Sequence, residues 1–231
     1  MFERAVKLRF RGEAMKVPLI RFIEGPAGLT ETAAFLCDLN KPMPSQALLL
    51  LHPHPLHGGT MGNKVITTIA RVARDNGLAA VAFNFRGAGR SSGNWDHGDG
   101  ELQDAAAVAS LMITQGVTKL CLAGFSFGGS IAARLVVPLK TSHPDCEVID
   151  LLQVAPAVEN FPIGPELVVD VPCKVIFNSD DEVVSPKAIA DYADIIGASV
   201  NRSESGGHFF HGKLTRLKVA VTSHYQSRGL V

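Results

Sequence analysis

Gly124-Phe125-Ser126-Phe127-Gly128 closes an apolar run, Leu120-Cys121-Leu122-Ala123, and opens a stretch of helical character from Ser130 to Val137. Strand, sharp turn and helix with a serine at the corner is the arrangement of a nucleophile elbow. The turn is strained, so the residues flanking the serine must be small enough for strand and helix to approach closely, and the glycines supply that room. The helix starting at Ser126 also leaves backbone N–H groups free to meet an anionic oxygen. A serine hydroxyl becomes a nucleophile when a base takes its proton, and the base needs an acid to fix its tautomer and stabilise its charge. Both residue types follow later in the chain. Asn178-Ser179-Asp180-Asp181-Glu182 lies past one strand-like run, and Gly206-Gly207-His208-Phe209-Phe210-His211 lies past the next. Taken singly, Asp180 and Asp181 read as a solvated loop or N-cap cluster and His208 as a loop histidine. Serine, aspartate and histidine in that order, each directly after a strand, point instead to covalent acyl transfer.

Other clusters invite chemical readings and fit them less well. His52, His54 and His57 share a loop and are metal-ligand types, but no carboxylate or thiolate is spaced to complete a site, so no metal is expected. Arg86-Gly87-Ala88-Gly89-Arg90 resembles a phosphate loop yet lacks the following Lys-Ser/Thr and the glycine spacing. A structural part suits it better, with Arg86 tying a loop to the sheet rim. Trp95, the only tryptophan, either lines the site or anchors its loop by packing.

Such residues need a frame that brings the ends of distant strands together. Residues 4–10 and 17–24 alternate or run apolar, Glu24-Gly25-Pro26-Ala27-Gly28 is a turn cluster, and Thr32 to Cys37 gives a further strand. Short turns between them predict antiparallel edge strands. From Ala47 the pattern changes: Ala47 to Leu51 is a continuous apolar run, as in a strand covered on both faces. A helix over 63–76, with Gly77 just past its end, leads to a strand over 78–85. A helix over 100–115, the elbow strand with its helix, and strands over 149–155 and 173–178 follow. A helix over 186–196, a short strand near 199–202 and a last helix from about 211 to 227 complete the alternation. The predicted fold class is α/β, a mostly parallel central sheet with helices on both faces and antiparallel N-terminal strands. No repeat, low-complexity tract or linker divides the chain, so residues 1–231 read as one domain. In open sheets of this kind reactive groups gather beyond the C-terminal strand ends, where Ser126, the aspartates and His208 all fall.

Composition narrows the partners. Hydrophobic residues make up 46% and charged residues 19%, ordinary for a chain with a large buried core. Lys plus Arg and Asp plus Glu both number 22 and no basic run stands out, so neither nucleic acid nor anionic lipid is an expected partner. The longest apolar stretches, such as Leu78 to Phe83, are far too short to span a bilayer. Met1 to Lys7 holds no apolar signal core. Cys37, Cys121, Cys146 and Cys173 show no C-x-x-C spacing and read as free thiols in a cytoplasmic setting. A homodimer formed through an exposed strand edge or helix is compatible with the pattern.

Five motifs together resemble the α/β-hydrolase superfamily, and within it the small, nearly lidless hydrolases. They are His52-Pro53-His54-Pro55-Leu56-His57-Gly58-Gly59-Thr60-Met61, Phe83-Asn84-Phe85-Arg86-Gly87-Ala88-Gly89-Arg90-Ser91, the elbow, Asp181-Glu182-Val183-Val184, and His208-Phe209-Phe210-His211-Gly212. The resemblance runs from about residue 45 to 216, and the order Ser, Asp, His is that of the superfamily's triad. It implies Ser126 as nucleophile, His208 as base and Asp181 as acid, because the family's Asp is followed two residues later by Val and then by Pro. Asn178 stands where the family often has Gly, a place where Asn tolerates a left-handed backbone, and this keeps Asp180 as the rival acid. His211 is the rival base and is expected to open the last helix. An oxyanion hole is implied between the backbone N–H of Phe127 and one from the loop after His52. His54 is the first candidate there and Leu56 the second, since Pro53 and Pro55 have no N–H to give.

The activity implied is hydrolysis of an ester or related small-molecule acyl substrate through an acyl-enzyme, with no metal or organic cofactor. A peptidase or thioesterase on the same scaffold, or a non-catalytic binding member of the fold, are the competing readings. Only Pro156 to Pro172 stands where larger relatives insert a cap, so the site is expected to be open and shallow and its acyl groups small or short-chain.

Overall fold

A computed structural model of the chain describes residues 17–164, 166 and 171–231; the strand expected over 4–10 lies outside them. β1 (Leu19–Gly25) and β2 (Gly28–Phe35) form the hairpin that the turn cluster predicts, pairing antiparallel from Leu19 opposite Ala34 to Gly25 opposite Gly28. β2 then runs antiparallel to β4 (Ala79–Phe83). Every later pairing is parallel, through β3 (Gln46–Leu51), β5 (Lys119–Phe125), β6 (Glu147–Val154), β7 (Cys173–Asn178) and β8 (Ser199–Ser203). The eight strands form one sheet in the order β1-β2-β4-β3-β5-β6-β7-β8.

Leu48 to Leu51 have no exposed surface, as a strand sandwiched between helical layers must. Around the sheet lie α1 (Lys64–Asp75), α2 (Asp99–Thr114), α3 (Phe127–Ser142), α4 (Pro186–Ile195) and α5 (Leu214–Ser227), with α1 packed on α5 and α2 on α3. Among the described residues no helix is long and apolar enough to cross a membrane.

Several boundaries depart from the apolar pattern, and three of them do so for a clear local reason. α1 starts one residue late because Asn63 is its N-cap, its Oδ1 accepting the Val65 N–H at 2.8 Å. β4 stops at Phe83; the Asn84 N–H still donates to Glu31 O of β2 at 2.9 Å, but Phe85, also buried, turns away from the strand. The Phe85 N–H donates to a side chain, His52 Nε2, at 3.0 Å. α5 starts at Leu214, not near 211: His211 sits in the preceding turn, its N–H donating to Gly206 O at 2.9 Å.

The register levels the strand ends on which the site is built. Leu51 lies opposite Gly124 and Phe125 opposite Val154, so β3, β5 and β6 finish side by side.

Candidate active site

Ser126 occupies the corner between β5 and α3 with φ 53° and ψ −120°, a left-handed conformation that an L-residue holds only when its surroundings over-determine it. They do so from both sides. The Ser126 N–H donates to Val154 O at 2.9 Å, and its carbonyl accepts from Gly129, Ser130 and Ala157. Strand and helix meet backbone to backbone here. A Cβ on Gly124 would lie 2.2 Å from Gly128 O, and one on Gly128 would lie 2.2 Å from Leu51 O and 2.5 Å from His52 O. Glycine is therefore a steric requirement at both positions, and the second one wedges α3 against the end of β3. The serine itself is 8% exposed.

The histidine and its acid come from the loops after β8 and β7. His208 Nδ1 lies 2.8 Å from Asp181 Oδ2, with the ring almost fully buried. The other carboxylate oxygen of Asp181 accepts the N–H groups of Val183 and Val184, both at 2.9 Å, which fixes the carboxylate plane. The His208 ring packs on Phe125, the residue before Ser126, at 5.0 Å between centroids. Ser126 Oγ itself has no hydrogen-bond partner among the described residues.

Asp180 is turned the other way. Its two oxygens accept the N–H groups of Gly206 and Gly207 at 3.0 and 2.9 Å, and these bonds, Gly206 first, hold its carboxyl below the usual aspartate value. Glu182 accepts the His208 N–H at 3.2 Å and Asn178 Nδ2 donates to Gly207 O at 2.7 Å. Asn178 is a strand residue, so the left-handed backbone that sequence reasoning allowed it is not in use. Asn178, Asp180 and Glu182 thus grip the backbone of 206–208 while Asp181 holds the ring. Sequence reasoning passed over this grip; the one available signal was a run of acceptors facing a Gly-Gly pair.

Two backbone N–H groups near the ends of neighbouring strands have no acceptor among the described residues. Phe127 is the first residue of α3 and has no carbonyl four residues back within the helix to receive its N–H. His54 follows β3 in the loop that Gly128 packs against, and among the described residues nothing accepts its N–H. Leu56 is different: its N–H donates to His54 Nδ1 at 3.2 Å and is already engaged.

A family profile described as serine aminopeptidase, S33, matches residues 54–167. An α/β serine hydrolase without a lid from Xanthomonas campestris has the same fold with a TM-score of 0.78 and 32% identity, covering 92% of this chain and 95% of that one. An α/β serine hydrolase homologue from Coxiella burnetii gives 0.74 and 34%, over 89% and 96%. The chain belongs to the α/β serine hydrolase family. A Rickettsia prowazekii protein is similar over 216 residues, 28% identical, across 88% of this hydrolase and 87% of its own length.

An aromatic wall of this hydrolase adjoins Ser126 through Phe127. His54, Trp95, Phe127 and Phe161 form a cluster, with ring centroids 4.2 Å apart for His54 and Trp95 and 4.7 Å for Phe127 and Phe161. Trp95 is therefore both a packed anchor and part of the wall. Its loop is tied down by the buried Glu101, which accepts the N–H groups of Asp96 and Gly98, and by Arg86, paired with Asp104 and Asp96. Next to the histidine loop a cleft of about 570 Å³ opens between Gly58, Thr60 and Lys64 and Phe209 and His211. Leu56, Val183 and Phe209 stay exposed nearby.

Of the three loop histidines, His52 has both ring nitrogens committed to backbone, Nδ1 to Pro53 O at 2.6 Å and Nε2 to the Phe85 N–H. His54 and His57 stack on each other at 4.6 Å, and burial, helped by His57, lowers the His54 pKa. The cysteines are buried or half-buried free thiols, and burial pushes Cys37 up to about 11 and Cys173 up to about 12, far from the thiolate a nucleophile needs.

Proposed function

We propose that this serine hydrolase cleaves ester-type acyl substrates, with Ser126 as nucleophile, His208 as general base and acid, and Asp181 as the acid that orients it. The observation that carries this reading is the 2.8 Å contact between His208 Nδ1 and Asp181 Oδ2, the His208 ring packing on Phe125 next to a left-handed Ser126. With Nδ1–H committed to Asp181, Nε2 is left as the acceptor for the serine proton. The hydroxyl adds to the acyl carbon, the oxygen gains negative charge, and the N–H groups of Phe127 and His54 stabilise it as the oxyanion hole. His208 then delivers the proton to the leaving alcohol, and water repeats the cycle on the acyl-enzyme. The serine–histidine bond is commonly long in a resting site and tightens around substrate.

The acyl group is small or short-chain. Trp95 and Phe161 pack closely on Phe127, and residues 155–172, which join β6 to β7, are too few to build a cap that would enclose a long chain. p-Nitrophenyl esters of increasing chain length test this. The expected kcat/KM is highest for acetate to butyrate and falls about tenfold or more by dodecanoate, one added methylene being worth up to about 0.8 kcal/mol where a pocket exists to bury it. Aminoacyl amides and acyl thioesters belong in the same panel, given the S33 profile. Preference for a long-chain ester would contradict the short-chain assignment, and a clear preference for aminoacyl amides would replace esterase with aminopeptidase.

A further inference from the structure

His52 is one of the few polar side chains with no exposed surface, and no step of the acyl-transfer cycle uses it. Its environment is asymmetric. Nε2 accepts the Phe85 N–H at 3.0 Å, so that nitrogen carries no proton, and the ring hydrogen must sit on Nδ1, 2.6 Å from Pro53 O. Burial pushes its pKa down to about 3, which keeps this single tautomer through the neutral range.

The Pro53 carbonyl and the His54 N–H belong to one planar peptide unit. No peptide among the described residues is cis, so the two groups point in opposite directions. Whatever holds the Pro53 oxygen therefore aims the His54 hydrogen. Gly59 closes the other side: a Cβ there would lie 2.0 Å from the same oxygen. Left to itself a loop peptide can rotate, exchanging N–H for C=O at the point where a donor is needed. We propose that His52 is a positioning residue that locks the Pro53–His54 peptide with its N–H turned toward the oxyanion, so that the hole stands ready before substrate arrives. This rests on the oxyanion assignment made above.

The two hydrogen bonds of the ring can be separated. His52→Asn places an amide donor where Nδ1 was and abandons Phe85. His52→Gln reaches the Nε2 position and abandons Pro53 O. If the ring only ties β3 to β4, the variants should lose activity in step with their melting temperatures. If it aims the peptide, His52→Gln loses about tenfold to a hundredfold in kcat on p-nitrophenyl acetate with KM within about twofold, while His52→Asn stays within about threefold of wild type. A trifluoromethyl ketone, which binds as an oxyanion, should weaken in His52→Gln by the same factor as kcat. The unmodified protein gives an independent check, because its ¹⁵N histidine spectrum should show His52 as the neutral Nδ1–H form from pH 5 to pH 8.

Equal losses in both variants, losses that follow stability alone, or an Nε2–H tautomer would overturn the positioning role. Wild-type protein that neither turns over the ester nor binds the ketone would instead remove the oxyanion assignment, and the positioning role with it.

Discussion

Asp181 uses both oxygens: Oδ1 receives two backbone N–H groups, and Oδ2 meets the His208 ring. That division predicts what Asp181→Asn does. The N–H groups of Val183 and Val184 require an oxygen at Oδ1, which puts the amide NH₂ at Oδ2, facing Nδ1. The ring must then accept there and carry its proton on Nε2, where it can no longer take one from Ser126. We expect kcat to fall by about a thousandfold to ten-thousandfold with KM little changed, measured by steady-state ester hydrolysis; a loss below about tenfold would show that Asp181 does not set the tautomer. At this scale the sequence was only partly legible. Asp180, Asp181 and Glu182 are adjacent acidic residues in a loop without period, so spacing gives no direction to any side chain. Only the folded loop shows that Asp180 and Glu182 turn to backbone N–H groups while Asp181 turns to the ring.

The elements were more legible than their ends. Continuous apolar runs marked β3, β5 and β7 because buried parallel strands have few polar positions. The ends of β4 and α5 were misread because side-chain and turn hydrogen bonds, not hydropathy, end them. Asn84 shows why: Oδ1 accepts the Met61 N–H, Nδ2 donates to Glu31, and the residue fastens the loop after β3 to β2. A tight contact between elements lies at Gly128, between the start of α3 and the carbonyls of Leu51 and His52. Gly128→Ala should cost about 1–3 kcal/mol, read as a lower urea midpoint, because neither neighbour is a flexible side chain that can step aside. Esterase activity should fall further than that stability loss explains, since the displaced backbone carries both candidate oxyanion donors. An unchanged midpoint would mean that α3 does not press on β3.

At the level of the whole molecule, the strand and helix alternation after Ala47 foretold a mostly parallel sheet, and the family relationship follows from whole-chain similarity. The grip on the histidine loop was hidden, since it joins side chains 26 to 29 residues away from the backbone they hold. Burial of a neutral histidine also makes the fold acid-sensitive. His52 has a folded-state pKa pushed down to about 3 from the ordinary 6.5. Between those values the unfolded chain binds a proton that the folded chain refuses, so stability rises with pH across the window and is lost as pH falls, by up to about 1.4 kcal/mol per pH unit. Urea unfolding at pH 7, 5 and 4 should show a shallower acid loss in His52→Asn than in wild type; an equal loss would place the acid sensitivity elsewhere.

The most direct test of the central claim is labelling with a fluorophosphonate, followed by intact mass and peptide mapping, on wild type, Ser126→Ala and His208→Ala. An activated serine predicts one adduct per chain at Ser126 in wild type, none in Ser126→Ala, and labelling slowed by about a thousandfold or more in His208→Ala. A folded wild type that takes no label, or a Ser126→Ala variant that labels as well as wild type, would contradict it.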